Sequence, residues 1–305
     1  MRRKLVRQGQ NALTVTVPAK WTQEMQLEAG DEVEITRLET DLLITTKAQV
    51  KEKEIELEIK SDDQYLIKGT IKTLYRLGYD IIKIKFENKK QLKTIINTIE
   101  NELLGFEVVH EEENLIVLES LTEPSDKKHN LLLKKIFQIA KQTFEIIITD
   151  LKNKKFESID EITKLTRKSD QYDSFCRRNI SKKRFSEEKI NYYWELYQRL
   201  LLIQYSLLHT YQLLDKEKPT EVNNQIWEVF TELEQYYNTI YTIFSQNKTE
   251  LLEELNEKIV NFRFKKIHEL MKKTNGTETI ILYYCGELTR RFNLCTLPLV
   301  AILTT

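Results

Sequence analysis

The run Lys4–Trp21, K-L-V-R-Q-G-Q-N-A-L-T-V-T-V-P-A-K-W, and the run Ala29–Ile35, A-G-D-E-V-E-I, decide how the chain begins. Leu13, Val15 and Val17 alternate with Thr14 and Thr16, the period of a half-buried strand, and Pro18 ends it. The pattern predicts a short helix around Ala19–Met25 and a turn at Gly30-Asp31. A strand with Val33 and Ile35 follows, then a last one within Asp41–Lys47 with Leu42 and Ile44. Four short strands in about 45 residues cannot bury a stable core alone. Dimerisation by strand exchange is the natural remedy.

The same stretch is charged with one sign. Arg2, Arg3, Lys4, Arg7 and Lys20 all precede Glu24, the first acidic residue. The whole chain has 47 Lys and Arg against 47 Asp and Glu, so its net charge of zero favours neither nucleic acid nor membrane, and any such claim must come from a patch. A positive edge on a small β unit is what a phosphate backbone selects, and equally what a solvated face presents.

Beyond this first region (1–48), residues 50–124 alternate strands and helices. Ile55, Leu57 and Ile59 mark a strand, and a helix over about 64–77 stops at Gly78. Tyr79–Phe86 reads as a second strand. Leu92, Ile95, Ile96, Ile99 and Leu103 set a helix closed by Gly105, and strands at Phe106–His110 and Leu115–Leu118 complete a β-α-β-α-β-β order, a small α+β sandwich. Pro124, Ser125 and Asp126 mark its end.

The third region, 126–305, reads as all helix. Leu132, Leu133, Ile136, Ile139, Ala140 and Ile147 form a helical stripe. Ser158 with Glu161 reads as a capping box for a second helix striped by Ile162, Leu165, Tyr172, Phe175 and Ile180. A third helix starts after Ser186 and runs to the Lys218-Pro219 break. Helices over about 220–246, 249–273 and 277–303 then repeat the plan, so 126–218 and 219–305 are expected as two tandem three-helix bundles.

Cys176, Cys285 and Cys295 are odd in number and lack C-x-x-C spacing, which suits a reducing cytoplasm better than a zinc site or a disulfide framework. No apolar stretch backs the N-terminal charge as in a signal peptide, and the apolar tract Ile280–Leu303 is broken by Glu287, Arg290, Arg291 and Pro298, so no membrane insertion is expected.

Gly9, Thr14, Val15, Val17, Pro18, Lys20, Trp21, Leu27, Gly30 and Asp31 stand where the AbrB/MazE/SpoVT swapped-hairpin DNA-binding domains have their pattern, and the first 48 residues resemble that family, with Gln10 and Asn11 as a mild departure after Gly9. L-Y-R-L-G-Y-D-I-I-K-I over Leu74–Ile84 and L-G-F-E-V-V over Leu104–Val109 are similar to the linker module of archaeal proteins that join such a domain to a PhoU-like bundle. The six-helix layout is similar to PhoU architecture. That resemblance implies carboxylate pairs spaced E/D-x-x-x-D in the second helix of each repeat, where hard cations are shared. Here those positions read Ser169 with Asp173 and Glu257 with Asn261, each missing one carboxylate, and Tyr205, His209, Cys285 and Glu287 offer no clear acidic set. No metal cluster is expected, which leaves Asp173 and Glu257 as surface or degenerate-site residues.

For DNA, the candidates are Arg2, Arg3, Lys4, Arg7, Gln10, Asn11 and Lys20. The resemblance places Arg7, Gln10 and Asn11 near the bases, where arginine pairs with guanine and the amides with adenine, or where Gln10 and Asn11 simply form a turn. Lys20 suits a phosphate. Trp21 is expected as a core anchor. The aromatic sets Tyr192, Tyr193, Trp194, Tyr197 and Trp227, Phe230, Tyr236, Tyr237, Tyr241 read as packing. Arg177, Arg178, Lys182, Lys183 and Arg184 read as a solvated interhelical loop, or as an anion or acidic-partner site. His110, His129, His209 and His268 are scattered, and no nucleophile–base pair or Gly-rich phosphate loop stands out, so no catalysis and no cofactor are expected.

Together the expectation is a cytoplasmic, homodimeric transcriptional regulator that binds double-stranded DNA. Its helical half would sense a ligand or dock a partner; the resemblance implies phosphate homeostasis and a phosphate-transporter component. The alternatives are an adaptor that restrains a transporter by protein contact and a metal-binding bundle with redox or storage chemistry.

Overall fold

The computed structural model describes residues 2–10, 12–38, 40–46, 52–121, 126–182, 187–219 and 224–304. They form two compact units, Met1–Glu52 and Lys53–Thr305.

The first unit holds two separate hairpins. β1 (Val6–Gln8) pairs antiparallel with β2 (Ala12–Thr14), and β3 (Val33–Leu38) with β4 (Asp41–Thr46). Helix α1 (Ala19–Glu24) follows Pro18, whose fixed φ suits the position before a helix. Gly30 sits at φ +109, a conformation open to glycine, and the Glu28 N–H donates to Asp31 Oδ2 at 2.7 Å across the same turn. Contrary to the half-buried strand expected, β2 ends at Thr14, and Leu13 and Val15 are exposed. No described residue of this unit is buried, and Trp21 is only half-buried. The reason is size: the register puts Val33, Ile35, Leu42 and Ile44 on one face of the second hairpin, and the described residues of the unit form no layer to set against it. The expected strand end at Lys47 lies outside the described residues.

In the second unit β5 (Glu54–Glu58), α2 (Gln64–Arg76), β6 (Ile81–Lys85), α3 (Lys89–Glu102), β7 (Phe106–Glu112) and β8 (Leu115–Ser120) follow one another. The sheet order is β5-β6-β8-β7, parallel between β5 and β6 and antiparallel elsewhere. Asp63 caps α2 and Asn88 caps α3, each accepting two backbone N–H bonds. Ile67, Ile71 and Tyr75 of α2 and Ile95 and Ile99 of α3 bury against Ile82, Ile84, Phe106, Ile116 and Leu118 of the sheet. The opposite face stays wet, with Lys83 on Glu54 at 2.5 Å and Lys85 on Glu56 at 2.6 Å along the parallel pair.

Six helical segments follow: α4 (Asp126–Asn153), α5 (Ile159–Lys182), α6 (Glu187–Glu217), α7 (Asn224–Gln246), a rod made of α8 (Leu251–Asn261), a π-helical turn (Phe262–Ile267) and α9 (His268–Met271), and α10 (Gly276–Leu303). Pro124, Ser125 and Ser186, expected at the breaks, lie outside the described residues. Ser158 does precede α5, but Glu161 accepts from Gln142 Nε2 at 3.3 Å on α4. The π turn interrupts what reads as one continuous helix, without a glycine or proline to announce it.

The two triads share one hydrophobic core instead of standing as separate bundles. α4 packs on α5, α6 and α7, while α10 packs on α6, α7 and the rod. Phe144 of α4, Tyr237 of α7 and Phe292 of α10 meet where the triads join, ring centroids 5.8 to 6.4 Å apart. Truncation there leaves a void between three helices. Phe292→Ala should lower stability by about 3–5 kcal/mol and move the unfolding of both triads together in a urea titration followed by circular dichroism. Separate transitions would show that the triads do not share a core.

Candidate nucleic-acid interface

The cationic edge is assembled by the first hairpin. Arg2, Arg3 and Lys4 are exposed and irregular ahead of β1, and none has an ion-pair partner among the described residues. Arg7 lies within β1 opposite Leu13 and donates from Nη2 to the Gln10 carbonyl at 3.4 Å. Gly9 takes φ +74 where the chain turns after Gln8. Arg7 and Gln10 therefore belong to one hairpin tip. Asn11 lies outside the described residues. Lys20 is on α1, exposed, with Glu24 one turn away at 3.9 Å, a separation worth little at a surface. The hairpin brings Arg7 and Gln10 together with Arg2, Arg3 and Lys4 just before it. Lys20 stands apart on its own element.

A second charged assembly, inside the larger unit, corrects two of the sequence expectations. Arg177, Arg178 and Lys182 are not in a solvated loop; they belong to α5, and the Arg178 side chain is 1% exposed. Lys183 and Arg184 lie outside the described residues. Nor is Asp173 at the surface. It is fully buried and accepts from Arg177 Nε at 3.0 Å and Arg76 Nη2 at 2.9 Å. The physical reason is that α5 turns this face toward the ends of α2 and α3, where positive charge from Lys72 and Arg76 waits for carboxylates. Glu257, by contrast, is exposed on α8.

The contacts are specific. Lys72 Nζ reaches Asp170 at 2.5 Å and Glu102 at 3.1 Å, Lys68 takes Glu102 at 2.9 Å, and Tyr205 of α6 donates to Asp170 at 3.0 Å. Arg178 donates to the carbonyls of Tyr75 at 3.1 Å and Tyr79 at 2.6 Å and to Asp80 at 2.7 Å. Its guanidinium also lies over the rings of Tyr75 and Phe106. Gln171 donates to the Asn101 carbonyl at 2.7 Å in the last turn of α3. Gly78, at φ +82, lets the chain pass so close to α5 that a Cβ there would lie 3.0 Å from Lys182 Cγ.

Burial pushes the Asp173 carboxyl above the usual carboxylate range, against the opposing pull of Arg177 and Arg76. At Asp80 burial also acts upward, but the Lys182 and Lys53 N–H hydrogen bonds, with the charges of Lys182 and Arg178, outweigh it and hold the carboxyl below its ordinary value. Burial raises the Tyr205 hydroxyl, and Asp170 beside it adds to the rise.

Elsewhere, Tyr197 and Phe230, Tyr236 and Tyr237 are buried in the core as packing residues, while Tyr192 is exposed. His129 is buried and hydrogen-bonded to the Tyr197 hydroxyl at 2.6 Å, whereas His110, His209 and His268 are exposed and far apart in sequence. Among the described residues no three His, Cys, Asp or Glu side chains converge as metal ligands, and no helix is long and apolar enough to cross a membrane.

Sequence reasoning missed Lys68, Lys72, Arg76, Asp80, Glu102 and Asp170. A signal was present: Lys68, Lys72 and Arg76 recur every four residues, so like charges stack on one face of α2 and destabilise it unless acids face them.

A family model described as antidote-toxin recognition MazE, bacterial antitoxin, matches residues 6–52. The match covers β1 through β4 and leaves the larger unit unmatched. No curated protein and no solved structure matches the chain.

Two outcomes follow for the junction. Arg178→Met should cost roughly 3–5 kcal/mol in urea unfolding, because the buried Asp80 carboxylate and the carbonyls of Tyr75 and Tyr79 each lose a charged donor. Asp80 has a depressed folded-state pKa, so its contribution is complete above the unfolded value of about 3.9 and is lost as pH falls through the lower folded value. In urea midpoints taken between about pH 6 and pH 3, Asp80→Asn should therefore flatten the acid limb of the stability curve.

Proposed function

We propose that the chain is a homodimeric DNA-binding transcriptional regulator whose helical body senses a ligand or docks a partner. The observation that carries the reading is the MazE match over residues 6–52, on a unit whose leading residues are cationic, exposed and unpaired. Dimerisation is supported by the apolar faces this unit leaves open. Leu5, Leu13, Ile35 and Leu42 are each more than half exposed within one chain, and a second copy supplies the missing layer. Two cationic edges related by a two-fold axis suit a pseudo-symmetric site.

In this reading Arg7, Gln10 and Asn11 approach base edges, while Arg2, Arg3, Lys4 and Lys20 hold phosphates. An effector that prefers one arrangement of the helical body shifts the spacing of the paired heads. The regulator works in the cytoplasm and carries out no catalysis. The assignment to phosphate uptake, with a transporter component as partner, is the narrower part. It rests on the resemblance of the Leu74–Ile84 and Leu104–Val109 motifs and on the helical layout alone.

In-vitro selection from random duplexes followed by fluorescence anisotropy across a salt series tests this. Arg7→Ala should weaken the selected duplex by 1–3 kcal/mol, about 5- to 150-fold, and relax its sequence preference. Replacing Arg2, Arg3 and Lys4 with Ala should weaken all duplexes alike and shallow the salt slope by about 0.9 for each phosphate no longer neutralised. A monomeric protein, or weak sequence-blind binding that ignores Arg7, favours instead an adaptor acting by protein contact.

A further inference from the structure

Arginines on the seam between α6 and α10 outnumber the carboxylates available to them. Arg199 of α6 pairs with Glu195 at 3.0 Å. Glu287 of α10 is shared by Arg290 at 3.5 Å and by Arg263 of the π turn at 3.8 Å. Arg291 has no carboxylate within ion-pairing distance among the described residues. Four guanidinium groups thus stand around two carboxylates, an excess of two positive charges. The Nε atoms of Arg199 and Arg291 are both shielded from solvent and hydrogen-bonded to no protein group.

Such an arrangement is costly as it stands. A buried donor without an acceptor is destabilising, more so when it is charged. Like charges held together add to that. The Arg291 guanidinium shows both effects: burial lowers its pKa, and Arg290 and Arg199 push the same way against the pull of Glu287. Helices α6 and α10 pack along the seam, and the Arg199 charge acts both on Arg291 and on Cys295, one helical turn beyond it on the same face of α10. The π turn supplies Arg263 at the edge, and Arg290 remains 58% exposed at the rim.

We propose that Arg199 and Arg291, with Arg290 and Arg263 at the rim, bind a tetrahedral oxyanion of the phosphate class. A phosphate group carries close to the two negative charges the cluster lacks. Its oxygens accept from two guanidinium forks at once, which a chloride ion cannot do. The site gives the helical body a ligand whether or not the smaller unit binds DNA, and it is tested on the full chain without DNA.

Isothermal titration of the full-length protein at constant ionic strength, with inorganic phosphate, phosphoserine and chloride as separate titrants, decides the matter. One saturable site per chain is expected for a phosphate-bearing titrant and none for chloride. Tighter binding of inorganic phosphate identifies the free ion as the ligand, and tighter binding of phosphoserine identifies a phosphomonoester; either result upholds the site. Arg291→Gln and Arg199→Gln should each weaken binding at least tenfold. Should either fail to fold by circular dichroism, Arg291→Lys keeps the charge but loses the fork, and should still bind more weakly than the wild type. No saturable binding of either phosphate compound, or binding that the Arg291 variants leave unchanged, overturns the proposal.

Discussion

A single buried guanidinium does much to make residues 53–304 one body. Arg178 leaves α5, crosses to the sandwich, and gives its protons to the carbonyls of Tyr75 and Tyr79 and to the Asp80 carboxylate. Helix ends carry orphan carbonyls and partial negative charge, so a cation there satisfies both needs. Gln171 does the same for the end of α3 without a charge. The bundle therefore anchors itself to the ends of its neighbour's helices. A flat apolar contact would tolerate sliding, whereas hydrogen bonds to named carbonyls fix both register and angle.

The smaller unit follows the opposite logic. Its strands pair in register and Gly9 turns the first hairpin, yet no described residue of the unit covers Val33, Ile35 and Leu42. Hairpins of three to six residues are marginal in water without a packed face. Stability of this unit and its pairing with a second copy are then a single equilibrium, dependent on protein concentration.

Local rules carried the helices and strands of the larger unit into view. Apolar spacing marked α2, α3 and the long helices, and Gly78 and Gly105 marked where two of them stop. What stayed hidden was tertiary. Arg177, Arg178 and Lys182 look like a wet basic run when only neighbours in sequence are considered; Asp80, the partner of Arg178 and Lys182, and Arg76, which shares Asp173 with Arg177, lie about a hundred residues away. Asp173 was misplaced for the same reason. The π turn has no composition signature, since no glycine or proline marks it. At the candidate DNA interface charge sign and glycine were local, and the resemblance of the first 48 residues is what set Arg7 and Gln10 together.

The three cysteines are sealed in the helical core, Cys176 on α5, the helix at the junction, and Cys285 and Cys295 along α10. Burial pushes all three thiols upward, Cys295 to about 12, with little thiolate left at neutral pH. In the native protein they are inert to oxidants and alkylating reagents. Each becomes reactive only when its own helix lifts away, so the chain carries natural probes that distinguish loosening beside the sandwich from loosening at its far helix.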